Sequence, residues 1–536
     1  MTIAQPNIKQ RLPNLRAALN RWRLLLFGFL LVYLIILLSD LAYPPMQWDE
    51  VIHLNAGSFL SWGNYDKFVV NAFYPPLFDV ITFGFFEVLG VSLFVARLVP
   101  VMFSLLSLWA VFELAYHLYG GRVALLSVVF LGVMPGFFWL STLSLLETAL
   151  VFFTAASLLF FIKWLSSRQD RLLVFSGLML GLGLLTKYQM VVAAIIILLC
   201  VLFLARNQIR FVLKKVSLTF VTAALVVAPW VIIAFQVYAD QILNQWLYAL
   251  QVGNPERSLY SERFHLPIFY LIEMVWPYDT LHPISLFIYL AGIAGLVFFA
   301  WRRRREDKFI LIWFAVIYVF FTLISNKEWR YVLPLFPTVA IAASVAFFAL
   351  YGRLERAWKT HANIQKRRYF KAASLLLVAL MVGSVAVSVY DTYDYVSKYH
   401  INIDIKGATE YAYNNIGFNK SIMVLCPFNF FSREMVRFYL WADGDNQIPV
   451  FQYPRQPVDT YTPKFNITEL IHLCKVLQVQ YVFTYEYGGT VPYFNTTLNL
   501  QQVYQQLYAS GNFTHINENA TFGENPRRIF ILEFTG

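Results

Sequence analysis

Charged residues are scarce in this chain. They make up 14% of its 536 residues, whereas a soluble globular domain carries about 25%. Hydrophobic residues make up 59%, and they are gathered in long blocks between Leu24 and Tyr390. This pattern excludes a soluble globular fold for that stretch and predicts a polytopic α-helical membrane protein. The polar remainder, residues 391–536, has the length of one further domain.

Cysteine is scarce as well, since only Cys200, Cys426 and Cys474 are present. Three cysteines exclude a disulfide-rich secreted scaffold, although Cys426 and Cys474 are able to pair in an oxidising compartment. Internal repeats and low-complexity tracts are lacking. We also expect no cleavable signal peptide, because the first apolar run is too long and has no small-residue cleavage site.

The long apolar blocks divide into segments of the length that a bilayer requires. A spanning helix needs about 20 mostly apolar residues, because the hydrocarbon core is roughly 30 Å thick. We therefore expect about eleven transmembrane helices within residues 1–390, with a long first outer loop over 44–92 and a second over 239–282. The predicted spans are 24–43, 93–118, 123–140, 144–164, 171–186, 188–205, 216–238, 283–300, 309–325, 331–351 and 372–390.

Basic residues predict the orientation of these spans. Lys and Arg are concentrated in the N-terminal tail and in the loops near 206–215, 302–305 and 353–371, which all fall on one side. An excess of Lys and Arg marks the cytoplasmic side, so the net charge of +11 indicates membrane orientation and not a nucleic-acid partner. We expect an integral protein of the plasma membrane or an equivalent bilayer, with a cytoplasmic N-terminus and an extracytoplasmic domain over 391–536.

The polar C-terminal part predicts an α/β domain. Residues 422–425, 481–485 and 529–534 are short apolar strand candidates, and helical patterns run over 467–477 and 500–509. Alternation of strands and helices favours a small, partly parallel sheet. The same part contains five glycosylation tripeptides, which agree with an extracytoplasmic surface; they begin at Asn419, Asn466, Asn495, Asn512 and Asn519.

Ionisable residues at membrane depth are energetically costly, so they are candidates for function. The first outer loop begins with Trp48-Asp49-Glu50 directly after the first span. It continues through an amphipathic stretch over 50–61, which we expect to lie as a helix in the membrane interface. Further along come Gly63-Asn64-Tyr65 and Tyr74-Pro75-Pro76-Leu77.

The order of these motifs resembles the GT-C glycosyltransferase superfamily, and in particular its protein O-mannosyltransferase and lipid A aminoarabinose transferase branch. Three further segments fit the resemblance: Glu147 near the start of the fourth span, Gly183-Leu184-Leu185-Thr186-Lys187, and Lys327-Glu328-Trp329-Arg330-Tyr331 ahead of Leu333-Pro334. The resemblance covers about residues 24–350 and leaves the C-terminal part outside it.

The resemblance implies a sugar transferase that uses a polyprenyl-phosphate sugar as donor and a protein hydroxyl, a lipid or a glycan as acceptor. Asp49 then corresponds to the family's general base, and Glu50 and Glu147 are further catalytic candidates. Candidate residues for binding the lipid phosphate or the sugar are Lys187, Lys327, Arg330, Arg257, Arg263 and Tyr74. Relatives that transfer aminoarabinose often have Lys before the Pro-Pro pair, so Tyr74 argues against that substrate.

No cofactor is definitely indicated, although a divalent metal ion is left open. His265, Glu273 and His282 share an outer loop but lack the spacing of a recognised ligand set, so no metal residues are assigned. Two other functions are also left open. A transporter or flippase for a lipid-linked or small polar substrate would place charges in mid-span and show paired repeats. A non-catalytic receptor would leave the acidic first outer loop unexplained.

Overall fold

The structure is a computed structural model, and it describes residues 20–41, 45–63, 74–238, 268–275, 282–324, 327–398, 403–426, 431–442, 448–454, 465–485, 500–516, 521–523 and 528–536. The chain divides into two compact units, each assembled from separate stretches. The first comprises Met1–Ser39, Ala72–Phe78 and Pro100–Tyr395, and the second comprises Asp40–Asn71, Asp79–Val99 and Val396–Gly536.

The described residues up to 398 form helices, which we number in chain order. They are α1 Arg21–Asp40, α2 Trp48–Ser61, α3 Leu77–Leu89, α4 Leu93–Tyr119, α5 Gly121–Val133, α6 Pro135–Ser141, α7 Glu147–Ser167, α8 Arg171–Leu184, α9 Val191–Leu204, α10 Ile209–Tyr238, α11 Phe269–Glu273, α12 Leu286–Arg302, α13 Arg305–Leu323, α14 Phe336–Thr360 and α15 Ile364–Lys398. Short 3-10 helices cover Tyr188–Met190, Arg206–Gln208 and Trp329–Leu335.

Six helices of the described chain are long and apolar enough to cross a membrane, or seven if α5 and α6, which meet at 70°, count as one bent span. The six are Arg21–Ser39, Leu93–Tyr119, Glu147–Ser167, Arg206–Val237, Trp329–Thr360 and Ile364–Lys398. The chain is therefore an integral membrane protein with a mostly helical fold.

This count is lower than the eleven spans expected, and the reason is helix length and charge. Each of the eleven predicted segments contains a helix. However, α8 and α9 have only 14 residues each, and α12 has 17. At 1.5 Å per residue these helices fall short of a hydrocarbon core of roughly 30 Å. Helix α13 begins with the charged residues Arg305, Glu306, Asp307 and Lys308.

Several helices present apolar side chains outward, as a lipid solvent requires. In the most apolar stretch of each helix, only 17% of the residues of α1 and α15, and 22% of those of α10, are buried in the protein. Phe27 on α1 and Leu225 on α10 are 69% and 70% exposed. Exposed apolar surfaces of this kind are what a helix presents to the acyl chains of a membrane.

The break between α5 and α6 frees backbone groups at membrane depth, where each must find a partner. The carbonyl of Val133 accepts hydrogen bonds from the hydroxyls of Ser388, at 2.6 Å, and Thr392, at 3.4 Å. Ser388 in turn accepts from Ser285, whose hydroxyl also lies 2.8 Å from the Asp391 carboxylate. The break is therefore stabilised by a polar chain from α15.

Two glycines allow α12 and α14 to pack closely. A Cβ atom at Gly292 would lie 2.3 Å from Cγ1 of Val339, and one at Gly295 would lie 2.1 Å from the carbonyl oxygen of Ala342. Small residues one turn apart bring helix backbones together in membranes, where dispersion forces and not the hydrophobic effect drive association. Only glycine permits this approach.

We predict that Gly295→Val destabilises the protein, because the new side chain collides with backbone that cannot move aside. Overpacking of this kind costs about 1–3 kcal/mol or more, so the thermal unfolding midpoint in detergent will fall. Gly383→Val on α15 is the matched control, because no atom lies within 4 Å of its Cβ position. Equal midpoints for the two variants would contradict the close packing.

The second unit contains a mixed sheet with helices. Its strands are β1 Ser421–Leu425, β2 Val450–Tyr453, β3 Val479–Tyr485, β4 Phe513–His515, β5 Thr521–Phe522 and β6 Ile529–Phe534, and its helices are α16 Ile405–Asn415, α17 Arg433–Ala442, α18 Ile467–Val476 and α19 Leu500–Ala509. The strand order is β2-β1-β3-β6-β4, and β5 pairs with β6. Strand β1 is parallel to β2 and β3, whereas β6 is antiparallel to its neighbours.

The sheet contains all three segments predicted as strands, within β1, β3 and β6. Every residue of β1 is buried, which agrees with a central strand covered on both faces. Cys426 and Cys474, for which a disulfide was left open, are both free and buried in the structure. Burial raises the pKa of each of these two thiols to about 12, so they act as small core residues.

Candidate active site

Glu147 and Lys187 form a buried ion pair in the first unit. Glu147 is the first residue of α7, and Lys187 lies in the extended turn that follows α8. The Nζ atom of Lys187 donates to Oε1 of Glu147 at 2.9 Å, and the two side chains are 12% and 3% exposed. Oε2 of Glu147 is buried and has no hydrogen-bond partner among the described residues. A buried carboxylate oxygen left in this way is unusual in a native protein and needs an explanation.

Arg330 and Tyr331, in the 3-10 helix, extend this pair into a cluster. The ring of Tyr331 lies 5.4 Å from the Lys187 ammonium and 5.6 Å from the Arg330 guanidinium. Arg330 is paired with Glu328, and its charge also acts on the Glu147 carboxylate. The cluster of Glu147, Lys187, Arg330 and Tyr331 thus combines two fixed cations with an aromatic face, and we call it the cationic cluster.

The backbone places the 3-10 helix beside α6 by means of a glycine. A Cβ atom at Gly136 would lie 2.7 Å from the Trp329 ring, and the Gly136 N–H donates to the carbonyl of Pro283 at 2.9 Å. Residues 332–335 of the 3-10 helix are fully buried. The segment that presents Arg330 and Tyr331 is therefore held rigidly.

Tyr270 and Glu273 of α11 lie in the same region. The sequence did not identify Tyr270, and it named Glu273 only in connection with a metal ion. The Tyr270 hydroxyl is buried, and charges on Glu328 and Glu273 and the nearby Tyr331 act on it. Burial raises its pKa well above the ordinary value, and these neighbours add to the rise. Tyr270 therefore stays protonated and able to donate a hydrogen bond at neutral pH.

Two other predicted residues lie next to the cluster. The N–H of Leu77 donates to the carbonyl of Leu185 at 2.9 Å, so the segment that follows Tyr74 contacts the turn that carries Lys187. Tyr74 itself is half-buried. Lys327 is buried, its ammonium donates to the carbonyl of Ile324 at 2.7 Å, and burial lowers its pKa.

The predicted acidic pair lies in the second unit, at the start of α2. Asp49 is the second residue of the helix and is half-buried. Glu50 is fully buried and forms a two-pronged ion pair with Arg97 of α4, in which Nε to Oε1 is 2.7 Å and Nη2 to Oε2 is 2.8 Å. The two carboxylates are adjacent in sequence, but the structure gives them different surroundings.

Arg97 connects several parts of the chain around Glu50. Its guanidinium also donates to the carbonyls of Leu41, at 3.0 Å, and Pro45, at 3.3 Å. It was not identified as a site residue from the sequence, although a basic residue inside the apolar stretch 93–118 was the signal that could have revealed it. Its role here is to compensate the Glu50 charge and to hold the chain that leads into α2.

A second buried polar contact fixes α2 one turn further on. Nδ1 of His53 lies 2.8 Å from Oδ1 of Asp79 on α3, and both side chains are almost fully buried. Burial raises the pKa of Asp79, and the neighbouring His53 partly offsets the rise. Gly57 then allows α2 to approach α3, because a Cβ atom there would lie 3.0 Å from Thr82.

Arg257 and Arg263 were also predicted to bind the lipid phosphate, and both lie outside the described residues. The same holds for His265. In the part of the chain that the structure describes, no three His, Cys, Asp or Glu side chains come together in a way that would hold a metal ion.

Sequence comparison relates the chain to lipid-linked sugar transferases. The profile of the family described as dolichyl-phosphate-mannose-protein mannosyltransferase matches residues 74–233. The undecaprenyl phosphate-alpha-4-amino-4-deoxy-L-arabinose arabinosyl transferase of Pectobacterium atrosepticum is 28% identical over 47% of this chain and 45% of its own. A Proteus mirabilis protein with the same description is 24% identical over 69% of this chain and 67% of its own. The chain thus spans about half the length of the first curated relatives that it matches.

Structure comparison relates the fold to two solved proteins. ArnT from Cupriavidus metallidurans, solved with bound undecaprenyl phosphate, matches with a TM-score of 0.59 and 16% identity over 95% of this chain and 98% of its own. The archaeal oligosaccharyltransferase AglB from Archaeoglobus fulgidus, solved with an inhibitory peptide and a dolichol-phosphate, matches with a TM-score of 0.53 and 14% identity over 85% of this chain and 69% of its own.

The chain therefore shares its fold with ArnT and AglB. The resemblance of its sequence to the GT-C branch that holds the protein mannosyltransferases and the aminoarabinose transferases is confirmed.

We predict that Arg97→Met strongly destabilises the protein, because it leaves the Glu50 charge buried and uncompensated. Breaking a buried pair in this way costs about 3–5 kcal/mol, and the thermal unfolding midpoint in detergent will fall accordingly. The double variant Glu50→Leu/Arg97→Met removes both charges, so it will recover much of the loss. If the double variant is no more stable than Arg97→Met, Arg97 does not stabilise the protein through its pair with Glu50.

Proposed function

We propose that this protein is an integral membrane glycosyltransferase that transfers a sugar from a polyprenyl phosphate, dolichyl or undecaprenyl, to an acceptor on the extracytoplasmic side. The observation that carries the proposal is the cationic cluster, in which Lys187 and Arg330 surround a buried carboxylate beside an aromatic face. Two fixed cations are what a leaving phosphate needs. The family match and the fold shared with ArnT support the same chemistry.

Lys187 and Arg330 would stabilise the charge that develops on the phosphate as it leaves the sugar. Cations held rigidly in a water-poor site are among the largest contributions to catalysis. The unpartnered Oε2 of Glu147 would then accept a hydrogen bond from the donor or balance the positive charge at the sugar carbon. Arg257, Arg263, Lys327 and Tyr74 stay proposed as secondary contacts to the donor.

Asp49 is proposed as the general base. The acceptor hydroxyl oxygen bonds to the anomeric carbon of the sugar, the bond from that carbon to the phosphate oxygen breaks, and the hydroxyl proton passes to the Asp49 carboxylate. Polyprenyl phosphate leaves with the bonding electrons. Glu50 was proposed as catalytic on its sequence alone, and its engagement with Arg97 supports a positioning role for this carboxylate.

The finer topology is part of the same proposal. We infer about eleven spans within residues 1–390, in which α8, α9, α12 and α13 complete the six or seven longer helices. The N-terminus would be cytoplasmic and residues 391–536 would form an extracytoplasmic domain. The relatives reported above are transferases, which favours this function over a transporter or flippase. A protein hydroxyl, a lipid and a glycan all remain candidate acceptors.

We predict that Asp49→Asn abolishes transfer with little effect on stability. The wild type and the variant, purified in detergent with lipid, are given labelled polyprenyl-phosphate mannose, glucose or aminoarabinose together with membrane extract as acceptor. Release of polyprenyl phosphate will fall about 100-fold or more in the variant, because general bases contribute on that order. The donor that turns over in the wild type identifies the sugar.

Glu87→Gln is the matched control for this loop, since Glu87 is a solvent-exposed acid in the same segment. Its turnover will equal that of the wild type. Full activity in Asp49→Asn would move the base to another carboxylate, with Glu147 next. A wild type that binds none of the three donors and turns none over would refute the transferase proposal.

We predict that Lys187→Met weakens binding of polyprenyl phosphate but not of the uncharged polyprenol. Hydrogen bonds to charged groups contribute about 1.5–3 kcal/mol, so the dissociation constant for the phosphate will rise roughly 10- to 150-fold. Binding is measured by lipid competition on the purified protein. Glu147→Gln/Lys187→Met controls for the loss of the ion pair, and Lys371→Met, which alters an exposed lysine near the start of α15, controls for charge in general. Equal weakening for phosphate and polyprenol would contradict a phosphate contact.

A further inference from the structure

The helix that carries Asp49 packs on the α/β part of the second unit. Helix α2 and helix α17 are in contact. Met46, Val51 and Leu54, in and just before α2, share one buried apolar cluster with Met435 and Phe438 of α17. The two helices are separated by most of the chain, so this contact is a tertiary one that no local sequence pattern requires.

Polar contacts accompany the apolar ones. The side-chain amide of Asn55, which is 4% exposed, donates to the carbonyl of Glu434 at 3.3 Å. Tyr439 of α17 packs against the same apolar cluster, and the charges of Arg97 and Glu50 both act on its hydroxyl. Burial raises the Tyr439 pKa to about 12, with Glu50 and Asp404 adding to the rise and Arg97 opposing it. Helix α17 therefore borders the ion pair that stands next to Asp49 in the chain.

Helix α2 needs such support to hold a side chain in a fixed place. It has 14 residues, and isolated helices shorter than about 12–15 residues are marginal in water. Three neighbours hold it over residues 50–55: α4 through Glu50 and Arg97, α3 through His53 and Asp79, and α17 through Asn55. Displacement of a reacting group by about 1 Å costs about 100-fold in rate, so each support bears on the base.

We propose that helix α17 is one of the supports that orient Asp49, with Asn55 and Tyr439 as positioning residues, so that the C-terminal α/β part contributes to the proton-transfer step and not to donor binding. This inference rests on the proposed role of Asp49 as the base. It gives the α/β part a function in the reaction that is independent of which acceptor it meets.

The test combines a structural readout with a kinetic one on the full-length protein in detergent with lipid. Asn55→Ala and Tyr439→Ala are compared with Tyr504→Ala, a partly buried tyrosine of α19 whose hydroxyl bonds to the Tyr485 carbonyl. Hydrogen–deuterium exchange of the backbone amides of 48–61 is measured in each variant. Release of polyprenyl phosphate and donor binding are measured in each variant, with and without Asp49→Asn.

We expect Asn55→Ala and Tyr439→Ala to speed exchange over 48–61 and to lower turnover about 10- to 100-fold, with donor binding unchanged. In the Asp49→Asn background the same substitutions will lower turnover no further, because residues that act as one unit are not additive. Tyr504→Ala will leave exchange over 48–61 as in the wild type.

Unchanged exchange over 48–61 in both variants would overturn the inference, whatever the enzyme's activity. Faster exchange with a further, equal loss of turnover in the Asp49→Asn background would also overturn it, because the α/β part would then act elsewhere. Loss of donor binding in Tyr439→Ala would show that α17 contributes to donor binding, and this result would also overturn the inference. A wild type that neither binds nor turns over any of the three donors refutes the proposed transferase, and the exchange measurement alone then decides whether α17 orders α2.

Discussion

The buried pair of Glu50 and Arg97 is the constraint on which the second unit depends. Two opposite charges with no exposed surface are stable only if each is fully compensated, because an ion left alone in such surroundings costs several kcal/mol. The pair therefore fixes the start of α2 against α4, and the remaining Arg97 donors fix the chain that leads into α2. Once this geometry is set, the first turn of α2, and Asp49 with it, has little freedom.

The first unit also contains a buried pair of opposite charges, and its contacts differ from those of Glu50 and Arg97. Glu147 and Lys187 are also paired and buried, but one carboxylate oxygen is left over, and Arg330 adds a second positive charge nearby. A purely structural pair would be satisfied on all sides, as the Glu50 carboxylate is. The pair in the second unit is therefore fully compensated, whereas the pair in the first unit keeps one carboxylate oxygen without a partner among the described residues.

Much of this arrangement could be predicted from the sequence, and the rest could not for identifiable reasons. Apolar length and composition located a helix in each of the eleven predicted segments, and alternation of apolar strands and helices located β1, β3 and β6. Motif order gave Glu147, Lys187 and Arg330, which the structure brings together. Arg97 was missed because one charge near the end of an apolar run resembles a flanking residue. The packing of α2 on α17 was missed because it depends on complementary shape and not on any pattern within either segment.

The hydrogen bond between Asn55 and Glu434 joins residues 379 positions apart. A chain grows at about 5–20 residues per second, so roughly 20 to 75 seconds separate the synthesis of these two partners. During that interval α2 already exists but lacks one of its three supports. The newly made protein can therefore complete the surroundings of Asp49 only after α17 has been synthesised and has folded, which ties the packing of α2 to the order of biosynthesis.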